Sequence, residues 1–473
     1  MTILKEKYQN AGWWTGERLI DRFERYVMAD GEALAVVAGD RSFTRAQLWE
    51  TSGRVADALQ ASGAKPGQVA AIYLPNTAAW MLAFIAALRA DLIPATLPIT
   101  TPQDHVQHII DLTHPSLIIT CEQYRNDSPV EITNQAIAKA AGTPPGLFIL
   151  SDTGEHQWIR DTAIDIPLAG VEGLAHMMFT SSTTGPPKAV MHTEDTLATL
   201  NRQFAERFSL NEATPIFMAS PLGHSVGAMH AARLSMYTGC LVVLQASWDP
   251  QEALALVDHY QAVFTAAATP FLVDLVEAPW GKETPKLASL RWFLCGGAQV
   301  PPELVRQTRR EFPHTFVTPL WGMTEGGLTT CLDITSLEQV ETTVGIGLPD
   351  LEIQIVDDDN NVLGPGETGE LTMRGPGVFF GYFGQEELYQ TLLTEDGFFR
   401  TGDLADMDHN GYVSITGRLK DLIIRGGVNI SPVMTENTLA AHPQVNAVAV
   451  IGWPDDRLGE RLCAVIVPQG APP

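Results

Sequence analysis

A run of small donors next to one cation stands in the segment "FTSSTTGPPKAVMHTED", residues 179–195. Hydroxyl groups and backbone amides can surround phosphate oxygens, glycine allows the backbone to approach closely, and lysine neutralises charge. A solvated Ser/Thr turn is the ordinary alternative for such a loop taken alone. The candidate phosphate-binding residues are Thr180, Ser181, Ser182, Thr183, Thr184, Gly185 and Lys188.

The order of residues in this loop separates it from the GxxxxGK[ST] loop of kinases and GTPases. Here the hydroxyl side chains precede the glycine, and the lysine follows two prolines. A kinase, which would release ADP, is therefore a poor interpretation of the segment.

Four further stretches follow the loop in a fixed order: "PLGHSVG" (221–227), "CGGAQVPPEL" (295–304), "WGMTEGG" (321–327) and a long "FFRTGDL…RGGVNISP" segment (398–432). Taken one at a time, His224, Glu325, Asp403 and Arg418 fit ordinary structural roles. As an ordered set, together with the phosphate loop, these stretches resemble the adenylate-forming superfamily of acyl-CoA synthetases, aryl-acid ligases, luciferases and nonribosomal adenylation domains. The resemblance runs from residue 41 to residue 468.

The resemblance implies ATP, Mg²⁺ and CoA as ligands and gives the phosphate site its roles. The loop ending at Lys188 would hold the β- and γ-phosphates, which leave as pyrophosphate. Glu325 would hold Mg²⁺, a role that suits a hard oxygen ligand, and Thr324 would reach the α-phosphate. Asp403 would accept both ribose hydroxyls, with Arg418 bracing the nucleotide.

The resemblance also implies an adenine site, an acyl-pocket entrance and a hinge. Trp321 stands where this family usually has tyrosine, so an aromatic face toward adenine is kept. His224 would lie at the mouth of the acyl pocket, and Lys420 would be the hinge of a small mobile domain that rotates before the thiol enters. Further nucleotide-site residues would be Gly297, Ala298, Gln299 and Gly322, and the CoA tunnel would be lined by Gly426 and Gly427.

Several positions depart from the family pattern. Ser182 and Ala189 stand at common glycine positions, and Met434 stands where glutamate is usual. The family's terminal "P…GK" segment, whose lysine contacts the carboxylate and the α-phosphate, has no counterpart after "AVIVPQGAPP". Two hypotheses follow: a shortened chain, which we favour, or a non-catalytic protein that binds nucleotides or acyl adenylates.

The residues around His224 indicate which class of acid the protein would activate. The aspartate that pairs with an α-ammonium in amino-acid-activating members is absent near "PLGHSVGAMH", and Ser225 replaces the asparagine typical of dihydroxybenzoate activators. The small residues Gly223, Gly227, Ala228 and Ala231 suggest a roomy apolar pocket, although they would equally suit tight helix packing. We predict an acid:CoA ligase for an aromatic, alicyclic or other bulky hydrophobic acid, with a carrier-protein phosphopantetheine as the alternative acceptor.

Composition excludes other partner classes. The 473 residues carry 30 basic and 55 acidic side chains, a net charge of −25 that disfavours nucleic acid and anionic membranes. The start lacks a signal-like apolar run, and Trp80 to Ile99 reads as a buried helix and loop. Five scattered cysteines favour a reducing cytoplasm and no structural zinc. The sequence is compatible with a homodimer.

The elements that must position these residues alternate between short β-rich runs and helical patterns. "GQVAAIYL" precedes "NTAAWMLAFIAALRA", and "CLVVLQA" precedes "DPQEALALVDHY", which is typical of parallel sheets covered by helices. "LAHMMF" and "TEDTLATLNRQF" predict that the phosphate loop joins a strand to a helix. We expect a large α/β adenylation domain (1–418), its β-rich subdomain (about 340–416), and the hinge with a partial α+β C-terminal domain (419–473).

Overall fold

A computed structural model describes residues 2–162, 166–180, 185–278, 287–297, 300–440, 442, 444–455 and 457–468. The fold is mixed α/β, as predicted, with two large sheets covered by helices and two smaller antiparallel sheets. None of the helices in the described ranges has the length and apolar character needed to cross a membrane. All five cysteines are free thiols, and three of them are buried.

The first large sheet has five parallel strands with an antiparallel strand at each edge. The parallel strands are buried along most of their length, which explains their apolar, β-branched sequences. In spatial order the strands are His156–Arg160, Gly146–Leu150, Leu117–Thr120, Val69–Tyr73, Ile93–Leu97, Leu174–Phe179 and Ala189–Thr193.

The second large sheet has a parallel centre of six strands and antiparallel strands at both ends. In spatial order they are Ile346–Gly347, Leu328–Thr330, Phe316–Gly322, Trp292–Gly296, Phe264–Ala268, Ile216–Met218, Val242–Leu244, Leu34–Ala38 and Arg41–Thr44. Adjacent parallel strands place their carboxyl ends at one edge, where the ligand sites of open α/β sheets form.

The main core contains the helix Ala78–Arg89, in which residues 78–88 are all buried, and side chains from both large sheets. A helix that is apolar all round must be buried on every side, which explains its sequence. The other α-helices are Thr2–Asn10, Leu19–Ala29, Arg45–Ala61, Gln103–Thr113, Pro129–Lys139, Glu194–Phe208, Ser225–Gly227, Leu234–Thr238, Pro250–Tyr260, Thr269–Glu277, Pro302–Glu311, Leu337–Thr342, Glu386–Thr391 and Pro432–Ala440.

Most of the β-rich region after residue 340 forms two antiparallel sheets. The first contains Glu352–Val356, Gly369–Arg374, Phe399–Met407 and Val413–Arg418. The second contains Val428–Ile430, Ile423–Arg425, Gly459–Pro468 and Val445–Asp455, and a short 3₁₀ turn, Leu419–Asp421, links the two sheets. The predicted hinge residue Lys420 is exposed in this link, and its role stays a prediction.

Two predictions about local structure were wrong. The phosphate loop does not lead from a strand into a helix, because Ala189–Thr193 forms an edge strand antiparallel to Leu174–Phe179. The helix Glu194–Phe208 begins only afterwards, with Thr193 as its N-cap, as the sequence predicted. Similarly, Trp80 to Ile99 is a buried helix followed by the strand Ile93–Leu97 rather than by a loop.

Candidate active site

Three of the predicted site residues, Thr324, Glu325 and His224, follow directly on strands of the second large sheet. Strand Phe316–Gly322 leads directly to Thr324 and Glu325, and strand Ile216–Met218 leads to the turn that carries His224. A Cβ added to Gly223 in that turn would lie 2.0 Å from the carbonyl oxygen of Leu97, the last residue of a strand in the first sheet. The carboxyl ends of the two sheets therefore meet beside His224.

Tyr382 brings the predicted metal ligand and the predicted phosphate lysine into one site. Its hydroxyl donates a 2.6 Å hydrogen bond to Oε1 of Glu325, and Nζ of Lys188 lies 5.1 Å from the centre of its ring. Backbone hydrogen bonds from Met191 to Gly381 and from Phe383 to Ala189 fix Tyr382 beside the edge strand. The sequence did not predict Tyr382, whose only local signal was an aromatic pair between two glycines in "GYFG".

Glu325 is a buried carboxylate held next to a positive charge. Its side chain is buried, which raises its pKa, while the Tyr382 hydrogen bond and the charge of Lys188 oppose that rise. A cation at the carboxylate would stabilise its charged form for the same electrostatic reason. Within the described ranges no group of three His, Cys, Asp or Glu side chains forms a metal cluster. Mg²⁺ fits such a site because it usually takes one or two carboxylates together with substrate phosphates.

Thr324 is held from two sides. Its hydroxyl donates to the hydroxyl of the buried Ser225 at 3.2 Å, and its carbonyl lies 2.8 Å from Nε2 of His192. Burial lowers the pKa of His192 to about 4, so this imidazole is neutral at pH 7 and donates from Nε2. Ser225 and His192 thus position Thr324, and neither was predicted to do so.

Asp403 is buried and has a partner on each carboxylate oxygen. Nε of Arg418 lies 2.7 Å from Oδ1, and the indole nitrogen of Trp321 donates to Oδ2 at 2.7 Å. The antiparallel register places Asp403 opposite Arg418 on neighbouring strands, so the first pairing follows from the fold. Trp321 is itself buried, and its hydrogen bond to Asp403 is a contact that the sequence did not predict.

A backbone hydrogen bond within its own turn fixes the tautomer of His224. Its Nδ1 accepts a hydrogen bond from the backbone of Val226 at 3.3 Å, which assigns the proton of the neutral ring to Nε2. Burial lowers the pKa of His224, so the neutral form dominates at pH 7. A neutral donor at Nε2 can orient a substrate carboxylate without adding a fixed charge.

The small residues behind His224 do not leave open space, which contradicts the pocket expected from them. A Cβ on Gly227 would lie 2.3 Å from the carbonyl oxygen of Pro221, and the Gly223 position is still tighter. Ala228 and Ala231 are fully buried in core clusters. Gly223 and Gly227 serve close packing of the backbone, because glycine lacks the Cβ that would collide there.

The remaining glycines fall into two groups. Gly297 is exposed, with φ +82° and open space within 4 Å of where a Cβ would lie, while Gly322 packs against Leu328. Gly426 and Gly427 have φ of +61° and +85° and form the two-residue turn of a hairpin, a geometry that strongly favours glycine. Their predicted place in a CoA tunnel stays a prediction.

Six predicted site residues lie outside the part of the chain that the structure describes: Ser181, Ser182, Thr183, Thr184, Ala298 and Gln299.

His230, six residues after His224, gives the site a testable pH signature. It lies in a π-helical turn, Ala228–Arg233, stacked on Phe204 at 4.1 Å. Burial and the nearby His224 lower the pKa of His230 from 6.5 to about 3. The unfolded chain therefore binds the extra proton first, and the free energy of unfolding should fall as pH drops from 6.5, by up to about 1.4 kcal/mol per pH unit from this group.

The variant His230→Phe keeps the aromatic stack and removes the titration. Urea unfolding between pH 7 and pH 4.5 should show a shallower loss of stability in the variant than in the wild type, with the difference opening below pH 6.5. Equal pH slopes in the two proteins would contradict the assignment.

Two protein-family models match this chain, one over most of its length and one at its C-terminal end. Residues 23–383 match the AMP-binding enzyme family, and residues 435–473 match the AMP-binding enzyme C-terminal domain. The medium-chain fatty-acid–CoA ligase of Escherichia coli (strain K12) is 30% identical over 470 residues, covering 97% of this chain and 82% of that protein.

Two further proteins are similar to this chain over nearly its whole length. The 2,3-dihydroxybenzoate-AMP ligase of Bacillus subtilis (strain 168) is 27% identical over 479 residues, covering 99% of this chain and 88% of that protein. The crystal structure of ATP-bound MatB from Rhodopseudomonas palustris superposes with a TM-score of 0.82 at 27% identity, covering 96% of this chain and 90% of that one.

Proposed function

The chain belongs to the family of AMP-binding enzymes and is an AMP-forming acid–CoA ligase, and we propose that its substrate is a hydrophobic carboxylic acid without an amino group. The observation that carries the ATP-dependent first step of this proposal is Tyr382, which contacts both Lys188 and Glu325, the residue after Thr324. A carboxylate and a cation held beside a hydroxyl donor form a site for a metal-bound polyphosphate.

The proposed reaction has two steps. A carboxylate oxygen of the acid attacks the α-phosphorus of ATP, the bond from that phosphorus to the bridging oxygen of the β-phosphate breaks, and pyrophosphate leaves. The CoA thiol then gives its proton to solvent, the resulting thiolate attacks the acyl carbon, and the bond to AMP breaks. Activation is needed because AMP is a far better leaving group than an oxygen of a free carboxylate.

Each residue has a proposed role in the first step. Lys188 holds the departing phosphates, and Nε2 of His224 orients the attacking acid. The Thr324 hydroxyl turns its single proton from Ser225 to the α-phosphate when ATP binds. Glu325 holds Mg²⁺, which supplies charge neutralisation on the phosphate oxygens. Asp403 binds the ribose, and Arg418 braces the nucleotide from the edge of the β-rich sheet.

A narrow apolar cavity, which as it stands has room for about one water molecule, lies beside the strand that leads to His224, and we propose that it widens to take the hydrophobic acyl group. It lies between the strands leading into the site and two covering helices, Pro250–Tyr260 and Thr269–Glu277, and eleven of the twelve described residues that line it are apolar. Phe217 and Ala219 continue directly into the turn that carries His224. The lining residues are Phe217, Ala219, Trp248, Ala253, Val257, Thr265, Ala267, Phe271, Leu275, Leu287, Leu290 and Phe293.

The first experiment is mass spectrometry of acyl-AMP and acyl-CoA after mixing the protein with ATP, Mg²⁺, CoA and a panel of aromatic, alicyclic and fatty acids. We expect acyl-CoA from free hydrophobic acids, together with pyrophosphate. Acyl-AMP without acyl-CoA would favour transfer to a carrier protein, as in an aryl-AMP ligase. No product from free acid or from synthetic acyl adenylates would favour a non-catalytic binding protein and overturn the proposal.

The variant Ala267→Val tests the cavity. Two added methyl groups would fill the narrow space that must widen for the acyl group, so kcat/KM for the bulkiest accepted acid should fall about tenfold while the smallest accepted acid is little affected. The KM for ATP should not change, and thermal melting checks the fold. Equal losses for all acids would mean that the cavity does not hold the acyl group.

The cytoplasmic location, which was inferred from the scattered cysteines, stays a prediction, and so does a homodimer.

A further inference from the structure

The indole N–H of Trp321 reaches the carboxylate that we assign to the ribose. We propose that Trp321 is a positioning residue, which holds Asp403 in the orientation needed to accept the two ribose hydroxyls of the adenine nucleotide. This inference rests on the proposed function, because it takes Asp403 as the ribose ligand. It gives Trp321 a role that does not depend on contact between its ring and adenine.

The two partners of Asp403 differ in how firmly they can hold it. The side chain of Arg418 is 57% exposed, and it lies at the end of the last strand before the link to the C-terminal sheet. Water competes for an exposed guanidinium and salt screens its charge. Trp321 is only 7% exposed and packs in the core of the β-rich region, so its donor stays in place.

The hydrogen-bonding capacity of the carboxylate leaves room for the ribose. An ionised carboxylate has about four acceptor positions, two on each oxygen. Arg418 occupies one position on Oδ1, and Trp321 occupies one on Oδ2. One position remains on each oxygen, which matches two neighbouring hydroxyl donors. Because Trp321 fixes Oδ2, it also fixes the plane in which the other positions point.

The same tryptophan links the two ends of the nucleotide site. Trp321 lies in strand Phe316–Gly322, which runs on to Thr324 and Glu325 within four residues. Asp403 lies in another sheet, on strand Phe399–Met407. The hydrogen bond therefore ties the ribose carboxylate to the strand that carries the phosphate-site residues, and sets the separation between the two.

The test compares Trp321→Phe with the matched variant Trp292→Phe. Trp292 is a buried tryptophan on the neighbouring strand, and among the described residues no acceptor contacts its indole nitrogen. Calorimetry would measure binding of AMP and of 2′,3′-dideoxy-AMP to the wild type and to both variants. Thermal melting would check that each variant is folded.

We expect Trp321→Phe to weaken AMP about tenfold and dideoxy-AMP less than about twofold, because only AMP presents hydroxyls to Asp403. Trp292→Phe should leave both affinities near wild type. If Trp321→Phe weakens both nucleotides equally, or neither, the positioning role is overturned. If the wild type itself does not prefer AMP over dideoxy-AMP, the assignment of Asp403 to the ribose fails first, and the inference fails with it.

Discussion

Replacing Asp403 with alanine should weaken AMP binding by about 100-fold or more, since two hydrogen bonds from the ribose to a charged acceptor would be lost. The carboxylate is buried and already oriented by Trp321 and Arg418, so little ordering is needed when the nucleotide binds. Calorimetry with AMP would measure the loss. The affinity for 2′,3′-dideoxy-AMP should be nearly the same in wild type and variant.

A second variant separates charge from shape at this position. Asp403→Asn keeps the side-chain volume and one acceptor oxygen, so its loss of AMP affinity should fall between wild type and Asp403→Ala. Asp403→Ala also leaves the buried indole N–H of Trp321 without its acceptor, which should cost about 1–3 kcal/mol of folding stability. If both variants bind AMP as tightly as the wild type, Asp403 is not the ribose ligand.

The double variant Trp321→Phe with Asp403→Ala links this prediction to the positioning role of Trp321. A residue that acts only through Asp403 has nothing left to position once the carboxylate is gone. The double variant should therefore bind AMP no more weakly than Asp403→Ala alone. Additive losses would show that Trp321 affects the nucleotide by a separate route.

Local sequence patterns predicted the parts of the fold that local physics controls. The cap at Thr193, the strand Leu174–Phe179 and the buried helix Ala78–Arg89 follow from side-chain type and spacing within a few residues. The strand Ala189–Thr193 was missed because its pairing partner, not its own short pattern, makes it a strand. Strand pairing is a tertiary contact, and local propensity does not determine it.

The same limit applies to the candidate site. The ordered motifs predicted Lys188, Glu325, Asp403 and Arg418, but the contacts between them cross long stretches of chain. Tyr382 is 57 residues from Glu325, and Trp321 is 82 residues from Asp403. A tyrosine or tryptophan in an apolar context predicts only burial, whereas the direction of its polar group depends on the neighbouring sheet.

The conversion of Glu325 to glutamine should lower the rate of acyl-AMP formation by about 10²–10³-fold. Mg²⁺ would lose a preorganised anionic ligand, and the charge on the phosphates would be neutralised less well. Glutamine has nearly the same shape, and its amide oxygen can still accept from Tyr382, so the fold should survive. ATP–pyrophosphate exchange, measured over a range of Mg²⁺ concentrations, would show a loss that excess Mg²⁺ only partly restores. ATP affinity by calorimetry, with and without Mg²⁺, gives a readout independent of turnover.

Tyr382→Phe provides the graded comparison for this prediction. Removing one hydroxyl leaves Glu325 in place but loses the 2.6 Å hydrogen bond, so the gain in ATP affinity on adding Mg²⁺ should shrink by less than in Glu325→Gln. Tyr389→Phe is the matched control, because Tyr389 is a buried tyrosine in the same aromatic cluster. If the Mg²⁺ dependence is unchanged in Glu325→Gln, this carboxylate does not hold the metal. If Tyr382→Phe shows a smaller loss than Glu325→Gln, the orientation of the Glu325 carboxylate, as well as its charge, matters for metal binding.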